Sequence, residues 1–211
     1  MINKDTEIYC SFSSNPGNNG CKYFNNVFQE KNINAIYKSF YSDNILDSLR
    51  AVKSLGIKGF AVSMPFKVEI VQYLEDLDSS ALSVGAVNTI VNNDGLLVGY
   101  NTDYLAAKEV LDECLGVDLY VLGDGGYSLA VQKAAKDLGY IPNIITRDNW
   151  DTIKDIRGSI IFNCTPVENI RVHNTNKFID CITSTETGKR LSSIQASHQL
   201  KIYLGENYEW Y

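Results

Sequence analysis

The sequence predicts an α/β protein with a mostly parallel sheet that contains one antiparallel hairpin, followed by a second, shorter series of strands and helices. Short apolar strands alternate with helical patterns over residues 8–74, and this alternation is typical of parallel sheets. An Asp94-Gly95 dipeptide between two apolar runs predicts the hairpin. The alternation restarts near residue 119. A chain of 211 residues, 45% of them hydrophobic, can bury one large core or two small ones.

Apolar spacing and turn residues define the first elements. Residues 8–12 are predicted to form a strand, and the Ser-, Asn- and Gly-rich stretch 13–20 a loop. Helical spacing follows over residues 23–31, and residues 35–37 are predicted to form a second strand. Asp43 is predicted to cap the next helix, which ends near Gly56.

The third strand, residues 60–62, is predicted to end at Met64, because Pro65 forces an extended or turn geometry on the residue before it. Phe66 and Lys67 then open a helix that continues to residue 74. This places the Lys67 ammonium group at the carboxyl end of a strand. Open α/β sheets bind their ligands at that edge, so Lys67 is a candidate functional residue.

The hairpin predicts a polar cluster at its open end. If Asp94-Gly95 forms the loop, Asn93 pairs with Leu96, and the same register sets Asn88 opposite Asn101. Two adjacent carboxamides suit a hydroxylated ligand better than they suit a core. Hairpin ends are also polar for solvation alone, so a ligand site and a solvated surface both stay open.

The second series begins after a helix over residues 104–114, which Thr102 or Asp103 is predicted to cap. Its predicted strands are residues 119–122, 143–146, 160–163 and 178–182. Residues 127–138 are predicted to form a helix, and a last helix is predicted to end at Gly205. The turn Gly123-x-Gly125-Gly126 follows a strand and precedes a helix, which is the context of a dinucleotide phosphate site. Asp124 would bring a carboxylate near that phosphate, and Tyr127 is bulky for a helix start.

Composition and charge limit the partners and the compartment. The net charge of −6 and the absence of a Lys/Arg cluster argue against nucleic-acid binding. The five cysteines have no metal-ligand spacing and are expected to be reduced, mostly buried thiols of a cytoplasmic protein, and no metal site is predicted. A polar N-terminus and the absence of a membrane-length apolar stretch predict a soluble protein without a membrane partner.

Three motifs carry a family resemblance. They are Ser-Met-Pro-Phe-Lys at residues 63–67, Ala-Val-Asn-Thr at 86–89 and Asn-Thr-Asp at 101–103. In this order and at this spacing they resemble the shikimate dehydrogenase family. The stretch 11–20, in which a Pro-x-Asn-x-Gly turn stands where typical members carry Ser-x-Ser, is similar to the shikimate dehydrogenase-like branch.

The resemblance implies a substrate-binding domain over residues 1–103, with a mixed, mostly parallel sheet, completed by a C-terminal helix at 189–211. Residues 104–188 would form a shortened, reduced Rossmann-like nucleotide-binding domain. The implied activity is that of a cytoplasmic NAD(P)-dependent oxidoreductase of aromatic amino acid biosynthesis. It would transfer a hydride between NADP(H) or NAD(H) and a hydroxylated carbocyclic acid such as shikimate or quinate, and a homodimer is compatible with it.

The resemblance also implies residue roles. Lys67 and Asp103 would be the catalytic pair, in which the amine takes or returns the alcohol proton as hydride leaves. The implied substrate-binding residues are Ser11, Ser13, Asn18, Ser63, Asn88 and Gln195. The implied cofactor-binding residues are Gly123, Gly125, Gly126 and Arg147, the last on the 2′-phosphate of NADP. Without the motifs, Lys67 would be interpreted as a surface lysine, Asp103 as a helix cap and Gln195 as an exposed helix residue.

The second half is shorter than the family norm, which leaves another function open. A redox-inert relative would bind a polyhydroxylated acid, or would use Lys67 and Asp103 for proton transfer without hydride transfer. Asp124, Tyr127 and the shortened stretch 147–191 separate the two functions. Dinucleotide binding is accordingly expected to be weak, or absent in the redox-inert case.

Overall fold

The computed structural model describes residues 2–114 and 116–205, and the chain divides into two compact units. The first unit contains the chain up to Thr102 and the segment that begins at Ala196. The second unit is Asp103–Gln195. Of the C-terminal helix predicted at 189–211, residues 206–211 lie outside the described residues.

A mixed sheet forms the centre of the first unit. Its strands are β1 (Glu7–Ser13), β2 (Ala35–Tyr41), β3 (Gly59–Val62), β4 (Asp76–Leu77), β5 (Thr89–Asn93) and β6 (Leu96–Tyr100). They lie in the order β2-β1-β3-β5-β6-β4, with β1 parallel to β2 and β3, and β5 antiparallel to β3 and β6. The predicted mixed, mostly parallel sheet is confirmed, and Asn93 pairs with Leu96 as predicted.

The helices of the first unit differ from prediction at their ends. They are α1 (Asn19–Glu30), α2 (Ile45–Leu55), α3 (Phe66–Glu69) and α4 (Ser79–Val84). The predicted start of α1 at residue 23 and the predicted loop to residue 20 are wrong, because the helix begins at Asn19. Asn44, not Asp43, caps α2, since its side chain accepts the N–H groups of Leu46 and Asp47 at 3.0 and 3.4 Å.

A second difference concerns the segment that carries Lys67. The predicted continuous helix to residue 74 is wrong, because α3 is a single turn that a 3₁₀ turn follows at Ile70–Tyr73. Helix α4, which the sequence pattern did not predict, is capped by Asp78, whose carboxylate accepts the N–H of Ser80 at 2.8 Å.

A four-stranded parallel sheet forms the second unit. Its strands are β7 (Leu119–Leu122), β8 (Asn143–Ile145), β9 (Ile160–Asn163) and β10 (Lys177–Asp180), in the order β10-β9-β7-β8. Helix α6 (Gly126–Asp137) connects β7 to β8, and a 3₁₀ segment at Arg147–Asp155 precedes β9. Helices α5 (Thr102–Asp112) and α7 (Glu186–Leu204) each contain residues of both units. The predicted restart of the strand-helix alternation is confirmed.

Apolar clusters cover both faces of the first sheet. Alternate residues of β1 point to opposite faces. One cluster joins Cys10 and Phe12 of β1 to α2, and it includes Ile45, Leu49 and Val52. The other joins Tyr9 to α1 and to the end of α7, and it includes Phe24, Phe28, Tyr37, Leu200 and Tyr203. Helix α1 therefore covers the face that carries Tyr9 and, farther along β1, Ser11 and Ser13.

The five cysteines are free thiols, but only Cys10 and Cys114 are buried. Cys21, Cys164 and Cys181 are half-buried, so the expectation of mostly buried thiols is wrong. Among residues 2–114 and 116–205, no helix has both the length and the apolar character that crossing a membrane requires.

Candidate active site

The face of the first sheet under α1 changes from aromatic to hydroxylated towards the carboxyl ends of its parallel strands. Ser11 of β1 pairs with Ser39 of β2, one step beyond the aromatic side chains on that face. Ser13 shares the face because it lies two residues after Ser11. Ser63 follows β3 directly and is exposed. These hydroxyls lie along the edge where open α/β sheets bind ligands.

Backbone hydrogen bonds hold the Lys67 segment against this edge. The bonds run from the N–H of Ser63 to the carbonyl of Phe12 (3.1 Å), from Ser14 to Met64 (3.4 Å) and from Val87 to Lys67 (2.8 Å). The last bond uses the Lys67 carbonyl and ties α3 to the residues that precede β5. The structure thus places Lys67 at the carboxyl end of β3, as the sequence predicts, with a half-buried side chain.

The carboxamide cluster at the end of the hairpin is buried and makes hydrogen bonds within the protein. The Asn88 amide donates to the Thr102 hydroxyl at 2.9 Å, and its oxygen accepts the Thr102 N–H at 2.9 Å and the Thr89 hydroxyl at 3.0 Å. Asn101 is fully buried and donates to the carbonyl of Ala86 at 2.8 Å. The β5–β6 ladder has the predicted register but ends at Thr89 and Tyr100, one pair before Asn88 and Asn101.

Asn88 instead fixes the start of α5. Thr102, which it holds by two hydrogen bonds, is the first residue of that helix. Asp103 comes next, in the first turn of α5, and is only 5% exposed. Neither Thr102 nor Asp103 precedes the helix as a cap, because the helix begins at Thr102.

The other predicted substrate residues differ in their burial and in their hydrogen bonds. Ser13 is buried, whereas Ser11 is half-buried and donates to the Ser39 hydroxyl at 3.1 Å. Asn18 is exposed and directly precedes α1, where its side chain makes no capping hydrogen bond. Gln195 is half-buried on α7 and belongs to the second unit. The structure therefore brings Ser11, Ser13 and Ser63 to the same sheet edge as Lys67.

The glycine turn of the second unit has the geometry of a phosphate cradle. Gly123 has a φ of +100°, a conformation that favours glycine, and its N–H donates to the carbonyl of Ile145 at 2.7 Å. Gly125 is the N-cap of α6, and a methyl group added there would meet no atom within 4 Å. The N-cap Gly125 has no side chain that could cap the helix, and the N–H groups of a helix N-terminus suit an anion.

Asn163 orders the neighbouring turn. Its oxygen accepts the N–H and the hydroxyl of Thr165 at 2.9 and 2.7 Å, and its amide donates to Asp180 at 3.0 Å. The Thr165 methyl lies where a side chain on Gly123 would point. Asp124 and Arg147 are both exposed. The residues present therefore fit a dinucleotide phosphate, with one carboxylate at the turn.

Tyr127 packs inwards rather than over the turn. It lies against the apolar cluster of the second unit, with its ring centroid 6.4 Å from that of Phe162. Burial raises the pKa of Tyr127 well above its usual range, and the negative charge of Asp103 acts in the same direction. The phenol thus stays neutral and keeps its proton as a hydrogen-bond donor.

Sequence reasoning missed the side chains around Ser11. Ser39 accepts a hydrogen bond from the Ser11 hydroxyl, and the Ser39 hydroxyl also bonds to the Cys21 sulfur. The Tyr37 hydroxyl bonds to Ser11 as well. The available signal was the Tyr-x-Ser repeat in β1 and β2, which sets two hydroxyl rows on one face. In the part of the chain that the structure describes, no three His, Cys, Asp or Glu side chains are grouped to hold a metal ion.

Known proteins resemble this chain in both sequence and structure. The family model of the shikimate dehydrogenase substrate binding domain matches residues 20–90. A shikimate dehydrogenase-like protein of Haemophilus influenzae is 39% identical over 143 residues, which are 66% of this chain and 53% of that protein. The shikimate dehydrogenase (NADP(+)) of Pyrococcus furiosus is 35% identical over 151 residues, 69% of this chain and 54% of that protein.

The structural similarity extends further than the sequence match. A solved shikimate 5-dehydrogenase-like protein superposes with a TM-score of 0.83 at 27% identity, over 99% of this chain and 95% of that one. The chain spans about half the length of the curated relatives that it matches.

Proposed function

Because the chain belongs to the shikimate dehydrogenase family, in its shikimate dehydrogenase-like branch, we propose that it is an NAD(P)-dependent oxidoreductase. The substrate is a hydroxylated carbocyclic acid such as shikimate or quinate. The relative from Pyrococcus furiosus is named as an NADP(+) enzyme, which supports NADP as cofactor, with NAD as the alternative.

Lys67 is the proposed acid/base group. The nicotinamide, when bound, supplies the hydride acceptor. As the alcohol is oxidised, the Lys67 amine takes the hydroxyl proton, and in the reverse direction it returns that proton. The Asp103 carboxylate is proposed to orient the alcohol and to stabilise the ammonium form of the amine.

The hydroxyls at the sheet edge are proposed to hold the substrate. Ser63, exposed at the end of β3, would bind a ring hydroxyl. Ser11, Ser13 and Asn18 would bind the carboxylate, for which hydroxyl and amide donors are suited. Asn88 and Gln195 remain proposed ligands of the other hydroxyls. Asn88 would do so with the amide hydrogen that it does not donate to Thr102.

The glycine turn is the proposed cofactor site. Gly123, Gly125 and Gly126 would present backbone N–H groups to the pyrophosphate, and Arg147 would bind the 2′-phosphate of NADP. Asp124 is exposed beside the same turn, and its charge would repel the phosphates. We therefore expect dinucleotide affinity to be weak.

The observation that carries the proposal is the 2.8 Å bond from the Val87 N–H to the Lys67 carbonyl. It holds the backbone of the segment that carries Lys67 and Ser63 next to the residues that precede β5, which supports a role for Lys67 at the ligand edge of the sheet. The test is turnover of shikimate and of quinate with NADP and with NAD, followed by absorbance of the reduced cofactor. Turnover of at least one pair is expected, and no turnover of any pair would contradict the proposal.

The cellular location and the oligomeric state are also proposals. A cytoplasmic location is supported by the five free thiols, because disulfides are rare in that compartment. A homodimer is proposed from the sequence alone, and sedimentation of the purified chain would test it.

A further inference from the structure

Two of the cysteines lie opposite each other at the ends of neighbouring parallel strands. Strands β9 and β10 are parallel, and the last pair of their register is Asn163 opposite Asp180. The next pair in the same register is Cys164 opposite Cys181. The Cys181 N–H donates to the Asn163 carbonyl at 3.2 Å, so the hydrogen bonds between the strands extend to this residue. Both cysteines are thiols, and both belong to the second unit.

The pair that precedes the cysteines indicates where their side chains point. The Asn163 amide donates to the Asp180 carboxylate at 3.0 Å, so these two side chains meet on one face of the sheet. Because successive side chains of a strand alternate between faces, Cys164 and Cys181 both point to the other face. The Cys181 sulfur lies 3.8 Å from the carbonyl oxygen of Thr165, and it therefore turns towards the end of β9.

The face with the two thiols also carries Tyr127. Phe162 precedes Cys164 by two residues and shares its face, and it belongs to the apolar cluster against which Cys164 and Tyr127 both pack. Burial raises the pKa of Tyr127, and after Asp103 the thiols of Cys164 and Cys181 act in the same direction. Both sulfurs are therefore near the same phenol.

The spacing of the two residues suits a disulfide. Neighbouring strands lie about 4.7–4.9 Å apart, and disulfides join Cα atoms that are about 4.4–6.8 Å apart. The sulfurs of Cys164 and Cys181 can therefore meet with little movement of the backbone. Both residues are half-buried, so a small oxidant can reach them. Disulfides that form in the cytoplasm are usually transient, and they serve catalysis or redox sensing.

We propose that Cys164 and Cys181 are a redox-active dithiol, at which a small disulfide such as oxidised glutathione closes a bond across the ends of β9 and β10. The thiolate of one cysteine attacks the glutathione disulfide, whose S–S bond breaks, so that a mixed disulfide forms and one glutathione leaves. The second cysteine then attacks the protein sulfur of the mixed disulfide, and the second glutathione leaves. The two cysteines lose two electrons and two protons, which the two glutathione thiols gain.

The dithiol lies next to the glycine turn. A methyl group added to Gly123 would lie 3.7 Å from the carbonyl group of Cys164. The carboxyl ends of β9 and β10 also form part of the edge at which open α/β sheets bind ligands. A dinucleotide at this edge would cover both thiols, and this step rests on the proposed function. We therefore expect bound NADPH to slow the closure of the disulfide.

A peptide map of the oxidised chain tests the inference. The full chain is incubated with oxidised glutathione, the remaining thiols are alkylated in denaturant, and the peptides are identified by mass spectrometry. We expect a disulfide-linked pair of peptides that contains Cys164 and Cys181, and we expect dithiothreitol to separate them. Glutathione retained on either cysteine without closure would overturn the inference. So would complete alkylation of both thiols after the incubation.

Two serine variants separate this pair from the other thiols. Cys181→Ser removes the second thiol and should leave Cys164 as a stable mixed disulfide with glutathione. Cys21→Ser is the matched control, because Cys21 is another half-buried thiol but belongs to the first unit, and this variant should form the same disulfide as the wild type. Loss of the disulfide in Cys21→Ser would overturn the inference. A thermal melt verifies that each variant is folded, and the wild-type map is decisive without them.

Oxidation in the presence of NADPH separates this inference from the proposed function. At an NADPH concentration about ten times its Kd, closure should be about tenfold slower, because only the cofactor-free fraction reacts. An unchanged rate with NADPH bound would overturn the placement of the dithiol at the cofactor site. If calorimetry detects binding of neither NADPH nor NADH, the proposed cofactor site fails, and the peptide map alone still decides whether the dithiol is redox-active.

Discussion

We expect Asn88→Ala to destabilise the first unit, because the Asn88 carboxamide connects the start of β5 to the start of α5. Its oxygen accepts the Thr102 N–H at 2.9 Å, and its amide donates to the Thr102 hydroxyl at the same distance. Asn88 is 3% exposed and Thr102 is fully buried. Alanine would leave the Thr102 N–H without this acceptor in a dry environment.

The magnitude follows from the groups left unsatisfied. A buried donor that loses its partner costs about 1–3 kcal/mol, and the space vacated by the carboxamide adds about 1 kcal/mol. The hydroxyls of Thr89 and Thr102 lie 3.3 Å apart and can bond to each other, so their loss is not counted. The expected loss in the free energy of unfolding is therefore about 2–4 kcal/mol.

Urea denaturation of the wild type and the variant measures this loss. Asn93→Ala is the control, because Asn93 is an exposed asparagine at the other end of β5, and its replacement should change stability by less than about 0.5 kcal/mol. If Asn88→Ala lost no more than Asn93→Ala, the hydrogen bonds to Thr102 would not hold α5. If it then also lost shikimate affinity, Asn88 would be a ligand residue and not a structural one.

Three further changes test other parts of the molecule. Lys67→Ala should lower turnover on the order of a hundredfold or more while the protein stays folded, and an equal loss of turnover in a Lys58→Ala control would show that Lys67 is not the acid/base group. Asp124→Ala should strengthen NADPH binding by about 1 kcal/mol in calorimetry, because a carboxylate a few ångströms from a phosphate repels it by about that much. An unchanged affinity would mean that Asp124 points away from the phosphates. Gly188→Ala should cost about 1–3 kcal/mol in urea denaturation, because an added methyl would overlap the carbonyl oxygen of Ile182, and a neutral result would show that α7 can shift.

Local signals predicted the sheet and the place of Lys67. The Asp94-Gly95 turn set the register in which Asn93 faces Leu96, because a two-residue loop permits few geometries. Pro65 ended the third strand for a similar reason, since it restricts the residue before it. The strands at 119–122 and 160–163 are compact apolar runs, and their bounds are as predicted.

Tertiary contacts explain what the sequence did not predict. Helix α1 begins at Asn19 although asparagine and glycine are poor helix formers, and Gly20 in its first turn lies close to the Tyr37 ring. The helix at Phe66 stays a single turn, and the Lys67 carbonyl accepts a hydrogen bond from Val87, 20 residues away in the chain (87 − 67). Neither contact can be predicted from the helix propensities of the local sequence.

In the candidate site, too, local signals predicted some features and tertiary contacts determine the others. Motif and strand order predicted which edge carries Lys67 and Ser63, because ligand edges follow from topology. They did not predict that Asn88 turns inwards, since that depends on the Thr102 N–H, 14 residues along the chain, as its partner. The chain of hydroxyls around Ser11 likewise depends on a register between β1 and β2 that local signals do not define.

Transfer of a labelled hydride tests the proposed oxidoreductase most directly. Shikimate that carries deuterium on the oxidised carbinol carbon would be incubated with the chain and NADP or NAD, and the cofactor analysed by mass spectrometry. The proposed function predicts deuterium in the reduced cofactor, and transfer slower by about a hundredfold or more in Lys67→Ala. Loss of water or isomerisation of the substrate with no deuterium in the cofactor would contradict it and would show that Lys67 moves protons without hydride transfer.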